Sequence, residues 1–379
     1  MAQVLTAPGH PSLDGERGAP PGEEVLRVRW RRLIVDPPFI EYKPQEFASP
    51  AAGGERVYVG SRKGEFFALR RVDGEILWRR HIQGGLATRP LFLPRARMGD
   101  ELQPSAVGGV VFLGSGDGVL HALDAVTGKE HWTYRTKSPI AVTPVYANGL
   151  LYFTTGENRL YAIDAFTGAW RWQYEREVPD SFTIRGASAP LAVKDRVYGG
   201  FSDGYVVALN GVDGEVLWAR ALGGDETRFV DVDSTPTLAD GVLYVSSHTG
   251  GVYALDPNDG NIRWRYPVEG AGTVRVAGDR VYFGAVRDGL HCLDLQGHLL
   301  WRQSLAKQGV LSSPVTLGTR YLLLSASEGG TFVVDPMDGH LLQSFDPGHG
   351  VTSEPVSDGQ QVYVLTNTGF IYAFALQSG

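Results

Sequence analysis

A repeated spacing of glycine and tryptophan constrains the fold of this chain more than any other feature. In six successive copies of a ten- or eleven-residue segment, a turn glycine is followed four residues later by a tryptophan. The fullest copy is ALDAVTGKEHW at 122–132, and the others are ALRRVDGEILW at 68–78, AIDAFTGAWRW at 162–172, ALNGVDGEVLW at 208–218, ALDPNDGNIRW at 254–264 and CLDLQGHLLW at 292–301. Such repetition is typical of an array of similar structural units.

A second spacing predicts the strands of each unit. A proline precedes a tyrosine by eight residues in five places, at Pro50, Pro144, Pro190, Pro236 and Pro355. Each unit is predicted to have a first strand led by proline, a second strand of the VYVG type, a third strand ending in Ala-Leu-Asp, a turn, and an outer strand with the tryptophan. The many glycines and aromatic residues agree with short strands separated by turns.

The number of units predicts an all-β fold, an eight-bladed β-propeller of four-stranded blades. The turn glycines are at 74, 128, 168, 214, 260, 297, 339 and 379. The eighth unit stops at its turn, and GEEVLRVRWRR at 22–32, with Trp30, supplies the missing outer strand. Pairing of this N-terminal strand with the last blade closes the ring. We therefore predict a propeller over 22–379 and a disordered Pro/Gly-rich leader over 1–21.

The repeated residues have structural roles that require no ligand. The aspartate of the turn accepts hydrogen bonds from backbone N–H groups just after it, and the glycine takes the positive φ that closes the turn. The tryptophan is expected to pack against the neighbouring unit, where its burial contributes about 3–5 kcal/mol. These residues are predicted to lock adjacent blades together.

One copy of the repeat also has the composition of a metal site or an acid/base pair. Its candidate side chains are His121, Asp124, Glu130 and His131. In the other units, the two histidine positions hold aromatic, aliphatic or arginine side chains, and one holds His291, so we interpret both as packing positions on a strand. Cys292 occupies the alanine position of its unit, and we interpret it as a small buried residue and not as a catalytic thiol.

Composition argues against several classes of protein. The formal net charge of -7, without a Lys/Arg stripe, provides no attractive field for nucleic acid. A single cysteine excludes an intrachain disulfide and a cysteine zinc site. We find no apolar run long enough to be a transmembrane segment. The N-terminus has only Val4 and Leu5 where a signal peptide needs a continuous apolar segment, and it contains no lipobox cysteine.

Two consecutive connections between units are longer than their neighbours. From the motif tryptophan to the next proline there are twelve residues in 78–90 and 132–144, but eighteen in 172–190 and 218–236. Equivalent connections emerge at the same end of a propeller, so the two extensions are expected to form one raised patch. A further insertion, 93–109, lengthens the unit of Pro90 and is interpreted as a tolerated surface loop, with contact to a specific partner as the alternative.

The two extensions contain residue types that are enriched at binding hot spots. The apolar, aromatic and arginine side chains are Phe182, Ile184, Arg185 and Phe229, and the acidic ones are Asp231 and Asp233. The aspartates are able to pair with Arg185 or with cations of a partner. The alternative is that the loops pack on each other, with Arg185 and Asp231 in an internal ion pair.

The motif AxDxxTGxxxW resembles the tryptophan-docking repeat of pyrroloquinoline-quinone (PQQ) dehydrogenases. The resemblance covers about 22–379 and implies the propeller fold. Because these blades serve both enzymes and binding scaffolds, a PQQ-dependent quinoprotein dehydrogenase or a small-molecule-binding propeller remains the alternative function. The family's enzymes carry a vicinal cysteine pair over the cofactor, and this chain has one cysteine.

The segments TIRGASAP and FVDVDSTPTLADGVLYV resemble those of the BamB family, which are propeller lipoproteins of the outer-membrane β-barrel assembly machinery. In that family the two loops dock onto a periplasmic domain of the central subunit, BamA. Matching the motifs residue by residue implies partner contacts through Phe182, Ile184, Arg185, Asp231 and Asp233. The resemblance also implies a non-catalytic scaffold without cofactor, at the periplasmic face of the outer membrane, with a BamA-like subunit and unfolded outer-membrane proteins as partners.

Overall fold

The computed structural model describes residues 3–6, 24–35, 45–95, 108–178, 188–222 and 231–377. Eight sheets follow one another along the chain, each with four antiparallel strands. The four strands are consecutive in sequence except in the sheet that closes the ring, and one sheet has an additional parallel strand. The predicted eight-bladed propeller of four-stranded blades is therefore confirmed. Among the described residues, no helix is long and apolar enough to cross a membrane.

The strands are numbered β1 to β33 in chain order, and the blades are numbered from the first complete sheet. The first two strands are β1 (Gln3–Thr6) and β2 (Leu26–Leu33). Blades 1 to 4 consist of β3–β6 (Ala51–Gly53, Arg56–Gly60, Glu65–Arg70, Ile76–His81), β7–β10 (Leu91–Pro94, Gly109–Gly114, Val119–Asp124, Glu130–Arg135), β11–β14 (Val145–Ala147, Leu150–Thr155, Arg159–Asp164, Trp170–Glu175) and β15–β18 (Leu191–Val193, Arg196–Gly200, Tyr205–Asn210, Val216–Ala221).

The second half of the ring continues the same pattern. Blades 5 to 7 consist of β19–β22 (Thr237–Ala239, Val242–Ser247, Gly251–Leu255, Ile262–Tyr266), β23–β26 (Arg275–Ala277, Arg280–Ala285, Gly289–Asp294, Leu299–Gln303) and β27–β30 (Val315–Leu317, Tyr321–Ser325, Thr331–Val334, Leu341–Asp346). Blade 8 contains β31–β33 (Val356–Ser357, Gln361–Leu365, Phe370–Leu376) together with β2. A single 3-10 turn, Ala306–Gln308, lies between blades 6 and 7 in the described part of the chain.

The first strand of each blade lies nearest the axis of the ring. First strands of neighbouring blades contact each other, as between β3 and β7, and β31 of blade 8 returns to contact β3 of blade 1. The second and third strands are almost fully buried, whereas the outer strands are mostly exposed. The apolar core is therefore divided into clusters that lie between adjacent blades.

The turn between the third and outer strands has the geometry that was predicted from the sequence. In blade 2, one carboxylate oxygen of Asp124 accepts hydrogen bonds from the backbone N–H groups of Val126 and Thr127, at 3.1 and 2.7 Å. The N–H of Gly128 donates to the carbonyl of Asp124 at 2.8 Å, and Gly128 has a φ of 70°. The aspartate side chain and the glycine thus close the turn through hydrogen bonds and backbone geometry of the chain itself.

Each motif tryptophan docks onto this turn in the next blade. The indole N–H donates to a turn carbonyl at 2.8–3.4 Å in six pairs: Trp30 to Arg71, Trp78 to Ala125, Trp172 to Gly211, Trp218 to Pro257, Trp264 to Leu295 and Trp301 to Pro336. The ring also covers the turn glycine so closely that a Cβ placed on Gly214 would lie 2.7 Å from Cε3 of Trp172. The predicted packing of tryptophan against the neighbouring unit is confirmed.

The N-terminal strand closes the ring as predicted. Strand β2 pairs antiparallel with β33, from Leu26 opposite Leu376 to Leu33 opposite Phe370. Trp30 then docks on the turn of blade 1 and covers Gly74. The contact between the last and first blades therefore repeats the tryptophan contact that joins blades 1 to 7.

Blade 7 replaces the tryptophan by Gln343, and the reason lies in the closure. Blade 8 has no turn between its third and outer strands, because those strands come from opposite ends of the chain. The buried Gln343 side chain instead accepts hydrogen bonds from the N–H groups of Val25 and Leu26, at 2.9 and 2.8 Å, and donates to the Leu26 carbonyl at 2.8 Å. Gln343 thus holds the start of the closing strand where a turn is missing.

A fifth strand extends blade 7. β1 runs parallel to the outer strand β30, with Gln3 opposite Gln343 and Thr6 opposite Asp346. β30 has the sequence LLQSFD and, unlike the other outer strands, carries no lysine or arginine. Because such charges ordinarily discourage pairing at a sheet edge, their absence permits the pairing with β1. Strand β1 falls within the predicted leader 1–21. The other leader residues lie outside those described, and their predicted disorder stays a prediction.

The docking contact makes the turn glycine intolerant of a side chain. We expect Gly214→Ala to lower the free energy of unfolding by about 2–5 kcal/mol, because the new Cβ must overlap Trp172 and alanine is strained at a φ of 79°. Gly278→Ala is the matched control, since its φ is 59° and no atom lies within 4 Å of the added Cβ. It should cost only about 1–2 kcal/mol in urea unfolding, and equal losses would refute the docking argument.

The closing role of Gln343 is testable in the same way. Gln343→Ala leaves two buried backbone N–H groups without their acceptor, so we expect a loss of about 2–4 kcal/mol in chemical unfolding. Gln173→Ala, on the exposed face of the outer strand of blade 3, should change the free energy of unfolding by less than about 0.5 kcal/mol. A loss no larger in Gln343→Ala than in this control would show that the hydrogen bonds do not secure the ring.

Candidate functional site

Strand direction places the extended connections at one end of the propeller. Successive strands of a blade run in opposite directions, so connections between blades and turns between second and third strands share one end, which we call the loop face. The two remaining kinds of turn share the opposite end, the turn face. The described ends of the connections 176–190 and 222–236 lie on the loop face, whereas the described ends of the insertion 93–109, at β7 and β8, lie on the turn face. The described ends of these two sequence features are therefore at opposite ends of the propeller.

The two extended connections are joined to each other where they end. The Ser188 hydroxyl donates to the carbonyl of Ser234 at 2.7 Å, and the Ser234 hydroxyl donates to the carbonyl of Ser246 at 3.1 Å. Ser188 itself receives a hydrogen bond from the Thr154 hydroxyl at its carbonyl. All three serines are buried. This chain of hydroxyl groups ties blades 3, 4 and 5 together at the ends of the two extended connections.

Ser188 and Ser234 were not among the residues predicted from the sequence. Each lies two residues before the proline that leads the next blade, Pro190 and Pro236. This shared position is the sequence signal that could have identified the two serines. The hydrogen bond between the two connections was not predictable from it, because the bond depends on how neighbouring blades are placed in space.

The first connection leaves blade 3 from a rigid base. Arg176 forms an ion pair with Asp203 at 2.5 Å, and its guanidinium lies 3.9 Å from the centre of the Tyr205 ring. The amide of Asn158 donates to the carbonyl of Glu177 at 3.1 Å. A partly buried ion pair with a stacked arginine restricts the direction in which the connection leaves the blade.

Three of the five predicted contact residues lie outside the described residues. Phe182, Ile184 and Arg185 belong to 179–187, and Phe229 belongs to 223–230. The predicted contacts of these residues, including an ion pair between Arg185 and Asp231, stay predictions.

The two aspartates are described, and they differ in exposure. Asp231 is fully buried, and its carbonyl accepts a hydrogen bond from the N–H of His248 at 3.0 Å. Asp233 is partly exposed between the buried Val232 and Ser234. Burial raises the pKa of Asp233, and the neighbouring Asp231 carboxylate raises it further, against the opposing influence of His248. Two close carboxylates therefore lie in a partly desolvated position near the end of the second connection.

The histidine side chains of the motif in blade 2 contact neighbouring carboxylates within the blade. His121 Nδ1 lies 3.2 Å from a carboxylate oxygen of Glu130 on the adjacent strand, and burial lowers the pKa of His121. His131 Nε2 lies 3.8 Å from Asp124, whose other oxygen holds the turn. Within the described ranges, no group of three or more His, Cys, Asp or Glu side chains is arranged to hold a metal ion.

Cys292 lies in the interior of blade 6. Its side chain is fully buried, and burial raises the pKa of the thiol to about 11. A thiol of this kind stays protonated at neutral pH, which agrees with the interpretation of a small core residue.

The raised pKa of Asp233 predicts a dependence of stability on pH. The pKa of Asp233 is higher in the folded chain than in the unfolded chain, so the folded chain binds this proton more tightly. The contribution of the bound proton to the free energy of unfolding is complete below the unfolded pKa, and it is lost as pH rises through the folded pKa. Asp233→Asn, which mimics the protonated form, should therefore become more favourable relative to wild type as pH rises from about 4 to 7 in unfolding experiments.

Asp256 in the same blade is the control for this prediction. Its hydrogen bonds with Arg263 at 2.7 Å and with the N–H of Asn258 lower the pKa of its carboxyl. Stability from Asp256 is present above the unfolded pKa and lost as pH falls through the folded pKa, so Asp256→Asn should become less favourable relative to wild type as pH rises towards about 4 and should change little from about pH 4 to 7. A pH dependence of the same sign in both variants would contradict the burial of Asp233.

Comparison with known proteins places the chain in a family. The family described as outer membrane protein assembly factor BamB matches three overlapping stretches, 19–98, 94–297 and 286–379. The outer membrane protein assembly factor BamB of Escherichia coli K12 is 33% identical over 334 residues, which cover 86% of this chain and 83% of the relative. The corresponding factor of Yersinia pestis is 29% identical over 331 residues, 85% of this chain and 70% of the relative.

Solved structures agree at the level of the fold. The crystal structure of BamB from Moraxella catarrhalis superposes with a TM-score of 0.75 and 22% identity, covering 93% of this chain and 100% of that chain. A likeness at this identity supports the propeller architecture alone. The match of the family over nearly the whole sequence and the identity to the Escherichia coli relative lead to one conclusion: the chain belongs to the BamB family of outer membrane protein assembly factors.

Proposed function

We propose that this chain is a non-catalytic accessory in the assembly and insertion of outer-membrane β-barrel proteins. The chain belongs to a family whose members are named outer membrane protein assembly factors. In this proposal it works at the periplasmic face of the outer membrane, uses no cofactor, and docks onto the periplasmic domains of a BamA-like subunit. Unfolded outer-membrane proteins are further proposed partners.

One observation carries the proposed docking site. The hydrogen bond from Ser188 to Ser234 holds the ends of the two extended connections together, which supports the proposal that the residues before them form one surface. A surface built from two tied loops on a rigid ring keeps little conformational freedom to lose on binding, which favours affinity.

The five proposed residues have different parts in this site. Phe182, Ile184 and Arg185 are proposed to contact the partner, because apolar, aromatic and arginine side chains supply most of the binding energy at interfaces. The partly exposed Asp233 is proposed to meet a cation of the partner. Asp231 is fully buried, so we assign it the positioning of the loop and of Asp233.

Arg185→Glu tests the docking site. Calorimetric titration of the full chain with the periplasmic domains of the BamA-like subunit should show saturable binding of wild type and at least about a tenfold weaker binding of the variant, because the charge at the interface is reversed. Arg171→Glu is the control, since this exposed arginine lies on the outer strand of blade 3 and pairs with Asp164 within its own blade. We expect its affinity to stay within about twofold of wild type.

Thermal unfolding of the same variants distinguishes the two interpretations of Arg185. A midpoint of Arg185→Glu close to that of wild type agrees with a contact to the partner. A large fall in the midpoint would instead favour an internal ion pair with Asp231. Equal binding by all three proteins would reject the docking site and leave the family assignment unaffected.

A further inference from the structure

The outer edge of blade 7 differs in charge from the outer edges of all other blades. The eight outer strands are all among the described residues, and seven of them carry at least one arginine: β2, β6, β10, β14, β18, β22 and β26. Strand β30 carries none, and its single charged residue, Asp346, is at its end. Basic side chains on an edge strand discourage pairing with another chain, so β30 is the outer strand without this protection.

One position of the repeat also differs in burial. The residue directly after the motif tryptophan is exposed in seven blades, where it is Arg31, Arg79, Thr133, Gln173, Ala219, Arg265 or Arg302. In blade 7 the equivalent residue is Ser344, after Gln343, and it is buried. Because the strand and its face are the same, the difference indicates that a further part of the chain covers this edge.

Strand β1 lies at the edge in question. It pairs with β30 in parallel, with Val4 opposite Ser344 and Leu5 opposite Phe345. An outermost strand ordinarily presents a row of unpaired N–H and C=O groups, and β1 occupies that row in blade 7. The pairing extends over only four residue pairs, and parallel pairing is slightly less stable per residue than antiparallel pairing. The cover is therefore held by few interactions.

We propose that β1 is an intramolecular cap, which prevents the outer edge of blade 7 from pairing with the same edge of a second copy of the chain. In a two-fold symmetric pair, the two β30 strands run antiparallel, which is the more stable arrangement. The sequence LLQSFD suits this pairing, because the two Asp346 carboxylates then lie at opposite ends of the paired strands. The proposal concerns blade 7 and does not depend on the proposed docking through the connections that follow blades 3 and 4.

The double variant Val4→Pro/Leu5→Pro removes the cap in the full chain. Proline has no N–H group, and alternate N–H groups of a strand point to the same side, so one of the two substitutions removes a donor that faces β30. In dilute, monomeric solution, we expect amide hydrogens of 341–346 to exchange at least about tenfold faster than in wild type. Exchange in the outer strand of blade 6, Leu299–Gln303, should not change. Equal exchange of 341–346 in both proteins would overturn the proposal.

Sedimentation equilibrium measures the pairing of two copies. Wild type should stay monomeric at concentrations at which Val4→Pro/Leu5→Pro forms a dimer. Adding Ser344→Arg to the double variant introduces the arginine that four other blades carry at this position, and we expect it to weaken dimerisation by about tenfold or more. Thr133→Arg is the matched control, since Thr133 has the same position on the outer strand of blade 2 and is exposed. Its effect on dimerisation should stay within about twofold.

Three results would contradict the proposed role of β1. The first is a double variant that is monomeric at about 1 mM, the range of very weak association. The second is equal weakening of the dimer by Ser344→Arg and Thr133→Arg, which would place the contact outside blade 7. The third concerns folding: β1 lies outside the ring of blades, so the proline variant should keep a cooperative thermal transition. Association that appears only when this transition is lost would come from unfolding.

Discussion

The contact between a tryptophan ring and the turn glycine of the following blade is the interaction on which the structure depends. A four-stranded blade buries its two central strands only when another blade covers each face, so no blade is stable alone. The tryptophan supplies both apolar area and a directed hydrogen bond, as between Trp264 and the carbonyl of Leu295. The same pair of groups sets the distance and the angle between successive blades, and repetition of one angle produces a closed ring.

The exception to this contact explains why one blade lacks the tryptophan. The turn that would receive a tryptophan from blade 7 does not exist, because blade 8 is assembled from both ends of the chain. A tryptophan at residue 343 would have no glycine to cover, and Gln343 binds the closing strand instead. Closure by the two ends of the chain therefore determines the identity of a core residue.

Much of the fold was predictable from local sequence, but the site was predictable only in part. The spacing from Gly74 to Trp78 and its repeats predicts blade number, because turn geometry and tryptophan position are local properties. Loop length predicted that two connections extend on one face. The burial of Asp231 and the bond between Ser188 and Ser234 depend on contacts between separate blades, which a spacing along one chain does not report.

Closure by the N-terminal strand also has a consequence for the order of folding. Leu26 pairs with Leu376, so this strand must wait for almost the entire chain before its partner exists, and pairing over so long a separation is slow. During that wait it is an unpaired edge. Four of its eight residues are arginines, LRVRWRRL, and these charges oppose aggregation with other strands until its partner strand is available. The arginines of this outer strand therefore protect the incompletely folded chain from aggregation.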